Sequence, residues 1–320
     1  MVRVKKNVSL AAHLNSRPLG PLVLSVSSFR ARHFVGIFLQ TIINGIMLGS
    51  IYAMVALGLT LIYGILEIPN FAHGALYMIG AYVSFQVMTS FGMPYWLALI
   101  LSAVFLFLMG MFIERIVYRP LYVQPVINSF IAAVGLILIL ENGALAIWGP
   151  AFRRFPKASS TVFHALGMTI TSQRIIVIIT AVLLIIALQL FIKRTRLGAA
   201  IEATSQNRQG AQLMGINTSL VGGLTFGLGT ALAAVAATLV APILLIYPTM
   251  GGPVIAMAFV IIILGGMGSF FGAVVGGYII GLAETLFSSY VTTKYVDTLI
   301  FGILVFILAV KPTGLFGKGH

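Results

Sequence analysis

KRTRLGAAIEATSQNRQGAQLMGIN, residues 193–217, is the one long polar stretch set between two unbroken apolar runs, and its reading decides the fold. Residues 175–192 before it and 220–240 after it carry no charge. Each is long enough to cross a bilayer core of about 30 Å as a helix rising about 1.5 Å per residue. The chain therefore leaves the membrane at 193–217, and Lys193, Arg194, Arg196 and Arg208 give that loop the positive charge of a cytoplasmic face. Two readings fit it. It is a solvated connector obeying the positive-inside tendency, or it is a short helix lying against a soluble partner, with Ala203, Gly210, Ala211 and Met214 small or soft enough to let it sit close. Composition does not separate them.

The rest of the chain agrees with a membrane setting. Of 320 residues 60% are hydrophobic and 8% charged, and the mean hydropathy is +1.09. No soluble fold of this size hides so much apolar surface, so the expected class is an all-α polytopic membrane protein with about 8–10 transmembrane helices. A net charge of +13 raises nucleic acid as a partner. The basic residues flank apolar spans instead of lining an aromatic-studded groove, and this excludes it. With no cysteine, disulfides, thiolate metal sites and cysteine nucleophiles are absent. Fourteen of the nineteen Lys and Arg fall in residues 1–33, the 115–119 connection, the 193–217 loop and the C-terminal tail. That asymmetry predicts both chain ends on the cytoplasmic side and an even number of spans.

Residues 1–33 form a basic arm, possessing too short and polar an apolar stretch for a signal peptide. The domain proper runs over 34–317. Residues 34–64 are too long for one straight crossing and read either as two short helices or as one crossing with an interfacial lead-in. Gly45 and Gly49 there give a GxxxG spacing for close helix approach. Next comes Ile68-Pro69-Asn70-Phe71-Ala72-His73-Gly74, where Pro69 and Gly74 interrupt the helix. Asn70 and His73 sit either in a turn at the membrane surface, with Asn70 as N-cap, or on a broken helix facing the bundle interior; the local sequence favours the turn. Further spans lie at 96–116 and 128–148. In the second, Glu141-Asn142 reads as the only carboxylate well inside an apolar run, which is either a packing residue or a functional one. The span at 220–240 carries a small-residue ridge at Gly223, Gly227, Ala231 and Ala234. After the breaks around Pro248 and Pro253, glycines at 268, 272, 276 or 277, and 281 recur on nearly every turn and predict a face for helix contact.

Several chemistries are missing. There is no GxxxxGK[ST] to cradle nucleotide phosphates, no HExxH, no GxSxG and no close carboxylate pair. No second ligand stands near His73, so neither a metal nor a cofactor is expected, and the chain does not read as an enzyme. Proton-coupled carriers carry several intramembrane ionisable groups, and Glu141 stands nearly alone. GLTLIYG (58–64) and GLTFGLG (223–229) echo each other without establishing a repeat.

Four stretches in register carry a resemblance: INGIMLGSIYAMVALGLTLIYGILEIPNFAHGALYMIGAY, TRLGAAIEATSQNRQGAQLMGIN, LGGMGSFFGAVVGGYIIGLAE and KPTGLFG. Together they resemble the permease of branched-chain amino acid ABC transporters, the LivH type, over about residues 34–317. The resemblance implies a multi-pass subunit of the bacterial inner membrane that forms half of the path of an ATP-driven importer for leucine, isoleucine and valine. The implied partners are a second permease of the LivM type, two cytoplasmic ATP-binding subunits and an external solute-binding protein, with ATP hydrolysed by the partners. It also implies that Arg196, Gly198, Ala203, Asn207, Ala211, Gly215 and Asn217 belong to the loop contacting an ATP-binding subunit, and it moves Asn70 and His73, with Glu141 and Asn142, toward the translocation path. Ala199 and Glu202 depart from the basic residues relatives often carry there. A urea or amide permease, or a self-sufficient carrier or channel, is the alternative reading.

Overall fold

The structure, a computed structural model, describes residues 20–66, 70–156, 161–165 and 168–317. Helix α1 spans Gly20–Leu66 without interruption. Its apolar part, Gly36–Leu66, has 31 residues and a length of about 45 Å. The stretch read as two helices or a crossing with a lead-in is thus one helix, and the boundary drawn at residue 33 falls inside it. Residues 1–19 lie outside the described part. Then follow α2 (His73–Ser90), α3 (Tyr95–Ile113), α4 (Val126–Trp148), α5 (Ser172–Arg194), α6 (Arg196–Gln206) and α7 (Arg208–Leu213). The chain continues as α8 (Thr218–Val240), α9 (Gly251–Gly265), α10 (Phe270–Tyr290) and α11 (Val296–Val310). Helix α3 runs on through a π-turn at Glu114–Tyr118 and a 3-10 turn at Arg119–Leu121. A two-stranded antiparallel hairpin, β1 (Val162–Ala165) and β2 (Met168–Thr171), precedes α5, with Val162 opposite Thr171.

Six helices among the described residues are long and apolar enough to cross a membrane, while α9 and α11 are shorter apolar helices. Two of the six form the centre. In α1 and α8, 89% and 78% of the most apolar window is buried, against 22% in α4 and α5, so the latter pair is peripheral. The exposed side chains of the outer helices are large and apolar, among them Phe105, Phe112, Ile131, Ile139 and Leu183. A bilayer is the solvent such a surface needs.

Glycine sets the distances between the central helices. A Cβ placed on Gly49 would stand 2.9 Å from Tyr278 Cα, and one on Gly277 would stand 2.7 Å from Ala53 N, so α1 and α10 meet backbone to backbone along Gly45, Gly49, Gly277 and Gly281. On α8, Gly229 meets Gly58 of α1, and a Cβ on Gly227 would be 2.8 Å from Phe107 O of α3. The glycines of α10 do not share one face, as the sequence spacing suggested. Gly277 and Gly281 seat α1, whereas Gly272 and Gly276 seat Gly265 and Ile261 of α9. Gly268 is not a packing residue: its φ of +79° makes the α9–α10 turn, and a Cβ there would meet nothing within 4 Å. The closing KPTGLFG is tied to the same turn, with Leu315 N–H donating to Leu264 O (2.8 Å) and Phe316 N–H to Gly265 O (3.0 Å).

A cavity of about 530 Å³ shows how the ends are arranged. Thr60 and Ile65 of α1, Lys193, Ser205 of α6, Phe270 and Phe316 all line it. The last turns of α1, the polar loop and the C-terminal tail therefore share one end of the bundle, while Gly36 lies at the far end of the same straight run of helix. The charge count predicts both chain ends on one side, and those ends, residues 1–19 and 318–320, lie outside the described residues.

Candidate functional site

Asn70 and His73 are both fully buried. The sequence favoured a turn at the membrane surface, and the packing places that turn inside the bundle. Asn70 is also not the N-cap of α2. Its Oδ1 accepts from the Ala72 N–H at 3.1 Å, two residues on, and from the Tyr118 hydroxyl at 2.8 Å. This is the short side-chain turn that Asn forms with its own backbone. The Asn70 Nδ2 and both ring nitrogens of His73 find no hydrogen-bond partner among the described residues, although the Val55 carbonyl lies toward the ring. His73 stands at a close crossing of α1 and α8: a Cβ on Gly58 would be 3.1 Å from its Nε2 and also against Gly229 O. Unpartnered buried polar atoms cost about 1–3 kcal/mol each, so this constellation is not explained by packing alone.

Tyr118 belongs to a second polar group that sequence reading missed. Glu114 is fully buried, and Arg119 closes on it as a fork, Nη2 to Oε2 at 2.8 Å and Nε to Oε1 at 3.3 Å. The Tyr122 hydroxyl donates to Glu114 Oε1 at 2.5 Å, and Arg119 Nη2 also donates to Ser219 O at 3.0 Å. Burial first, then the hydrogen bond and charge of Glu114, push the Tyr122 hydroxyl well above its ordinary pKa, so it stays a donor at neutral pH. Gly222 and Gly223 of α8 leave the carboxylate its room, since a Cβ on either would stand 3.3 Å from a Glu114 oxygen. Gly223 therefore serves this carboxylate and not a helix backbone. The signal was present as ERIVYRPLY (114–122), with Glu, Arg and two Tyr spaced to share a helical face.

The polar loop folds as two short helices, each with a side-chain cap. Thr195 Oγ1 accepts from Gly198 N–H (3.0 Å), Asn207 Oδ1 from Gly210 N–H (2.7 Å) and Asn217 Oδ1 from Leu220 N–H (3.0 Å). Caps of this kind stabilise a helix start by about 1 kcal/mol and fix where each begins. Gly198 and Ala211 face inward, Gly198 against the Ile192 backbone. Gly215 takes φ +83° at the loop's last turn with open space around it. Ala203 is half-buried and Arg196 exposed. Among the side chains that project are two large apolar ones, Leu213 and Met214, 89% and 83% exposed. Arg208 turns back, its guanidinium 4.0 Å from the centre of the Tyr122 ring.

Glu141 and Asn142 are not brought to this centre. Glu141 is half-buried on the peripheral α4, and Asn142 is exposed, bonding back to Leu138 O at 2.8 Å. Glu141 is not the only carboxylate in an apolar helix. Besides Glu114, Glu284 of α10 accepts from the Tyr52 hydroxyl at 2.9 Å. Among the described residues no group of three or more potential ligands gathers to hold a metal.

The family described as "Branched-chain amino acid transport system / permease component" matches residues 41–308. The chain is 37% identical over 302 residues to the high-affinity branched-chain amino acid transport system permease protein LivH of Salmonella typhimurium, covering 88% of this chain and 96% of that one. It is 35% identical over 299 residues to the permease protein BraD of Pseudomonas aeruginosa, with the same coverage. The permease protein LivM of Salmonella typhimurium is 26% identical over 291 residues, 83% of this chain and 67% of that one. No solved structure matches. The match runs from the middle of α1 to the last turns of α11, across both polar groups and the capped loop, and the chain belongs to the family of branched-chain amino acid transport permease components: multi-pass membrane subunits for transport, not enzymes.

Proposed function

We propose that this chain is one of two permease subunits of an ATP-driven importer of leucine, isoleucine and valine in the bacterial inner membrane. The observation that carries the reading is the identity along nearly the whole length of both this chain and LivH, including the capped loop at 193–217. In this reading the loop faces the cytoplasm and receives an ATP-binding subunit. Leu213 and Met214 supply exposed apolar anchors, and the caps at Thr195, Asn207 and Asn217 hold α6 and α7 rigid enough to be pushed. The tail then lies in the cytoplasm as well, and the start of α1 on the external face. A LivM-type second permease, two ATP-binding subunits and an external solute-binding protein complete the assembly. Apart from Asn70, His73 and Glu114, the buried polar side chains are mostly Ser and Thr, which offer little to hold an ammonium and a carboxylate, so solute affinity would reside in the binding protein, and weak holding by the path suits release.

The test is uptake of radiolabelled leucine, isoleucine and valine into proteoliposomes holding this chain with its partners. ATP-dependent uptake that stops when the ATP-binding subunits are left out supports the reading. Uptake by this chain alone driven by a proton gradient, or a preference for urea or amides over leucine, would refute it.

A further inference from the structure

The break at 70–73 and the loop at 193–217 lie far apart in the sequence, and both make side-chain contacts to one short segment, residues 114–122, whose backbone joins the two sets of contacts. From the loop, Arg208 lies 4.0 Å over the ring of Tyr122. Tyr122 holds Glu114 at 2.5 Å, and Arg119 ties Glu114 to Ser219 O at the start of α8. One turn earlier in the same segment Tyr118 donates to Asn70 Oδ1 at 2.8 Å, and that oxygen also fixes the Ala72 N–H at the entry to α2. Three elements thus converge on one buried carboxylate, and the segment bearing it ends on the helix break.

That segment, Glu114–Tyr118, is a π-turn. Such a turn holds one residue more than an α-turn and is frequent at functional sites. If it tightens to α, everything beyond it rotates by about 100°, the angle taken by one residue. Tyr118 and Tyr122 would leave their partners together. The geometry therefore has a second state that is one hydrogen-bond register away.

We propose that Glu114–Tyr122 is a relay that positions Asn70, and with it the break between α1 and α2, according to where α6 and α7 stand. The inference rests on the reading of 193–217 as the contact with an ATP-binding subunit. Glu114, Tyr118 and Tyr122 are positioning residues: they act on Asn70 and His73 and make no claim on the solute. A staple that merely holds the fold together uses the same contacts but predicts different behaviour, because its loss lowers stability without changing how hydrolysis and uptake are linked.

The experiment uses the full assembly in proteoliposomes. Tyr118→Phe removes one hydroxyl without changing volume, and Tyr122→Leu removes the ring beneath Arg208. In each, the solute moved per ATP hydrolysed is expected to fall about tenfold, within the range of ordinary coupling energies, while ATP hydrolysis and co-purification of the ATP-binding subunits persist. The double variant should be no worse than the weaker single one, since both cut one chain of contacts. The chain has no cysteine, so Phe71→Cys gives a single label beside Asn70. Its labelling rate should change when an ATP analogue traps the assembly, and Tyr118→Phe should abolish that change. An unaltered ratio in both single variants would overturn the relay. So would parallel loss of hydrolysis and uptake at normal membrane levels, or losses that multiply in the double variant. Absence of ATP-dependent uptake in the unmodified assembly would instead bring down the importer reading itself, and the relay with it.

Discussion

Asn70–His73 and Glu141–Asn142 look alike as sequence, each a polar pair set into an apolar run, and the fold treats them in opposite ways. The first pair is fully buried where α1, α2 and α8 cross, and Tyr118, which bonds Asn70, stands on the same short segment as the Glu114–Arg119 ion pair. The second lies on α4, most of whose surface is not covered by this chain. The difference teaches that a polar residue in a membrane helix has no fixed meaning. In the centre it must find partners or be tolerated for a purpose, because neither water nor lipid will satisfy it. On the periphery it is free to meet a second subunit or the interface, and the single chain leaves it little changed.

The comparison is sharpened first at the ion pair. Arg119→Met strands the Glu114 carboxylate in the bundle, with only Tyr122 left to it. Breaking a buried pair costs about 3–5 kcal/mol, and the partial exposure of Arg119 brings the expected loss to about 2–3 kcal/mol. Thermal unfolding of the purified chain in detergent measures it, and adding Glu114→Gln should recover part of the loss. A smaller effect is expected at the break. Asn70→Ala removes the acceptor of Tyr118 and of the Ala72 N–H, which costs about 1–3 kcal/mol by the same assay. The smallest lies on α4, where Glu141→Gln should change stability by no more than about 0.5 kcal/mol, as surface substitutions do. A loss at Glu141 as large as that at Asn70 would break the comparison and put Glu141 in the interior of the working protein.

Parts of this site were legible in the sequence. The loop at 193–217 announced itself because a charged segment between two apolar runs has only one place to go. Its caps are Thr195, Asn207 and Asn217, residues whose short side chains reach their own backbone. The close approach at Gly45 and Gly49 was likewise legible, since a glycine spacing of one turn is a local property. Glu114 was not. It falls at the end of a span, where a carboxylate beside Arg115 reads as the start of a loop, and only the π-turn carries it inward to Arg119 and Tyr122. Ala211, read as one of the residues that let the loop sit close to a partner, is buried within this chain, and Leu213 and Met214 are the loop's most exposed large apolar side chains.

The sequence by itself determined the class of the molecule, most of its helices and the polar loop between them. Each follows from the transfer of apolar surface out of water and from hydrogen bonds between near neighbours. Only the tertiary structure decided which polar residues are central and which faces of α10 meet α1 and α9. Those depend on contacts between residues far apart in the chain: Tyr118 with Asn70, Gly229 with Gly58, Phe316 with Gly265. A pairing of that kind leaves no trace in the local sequence, because each partner's environment is made by the other.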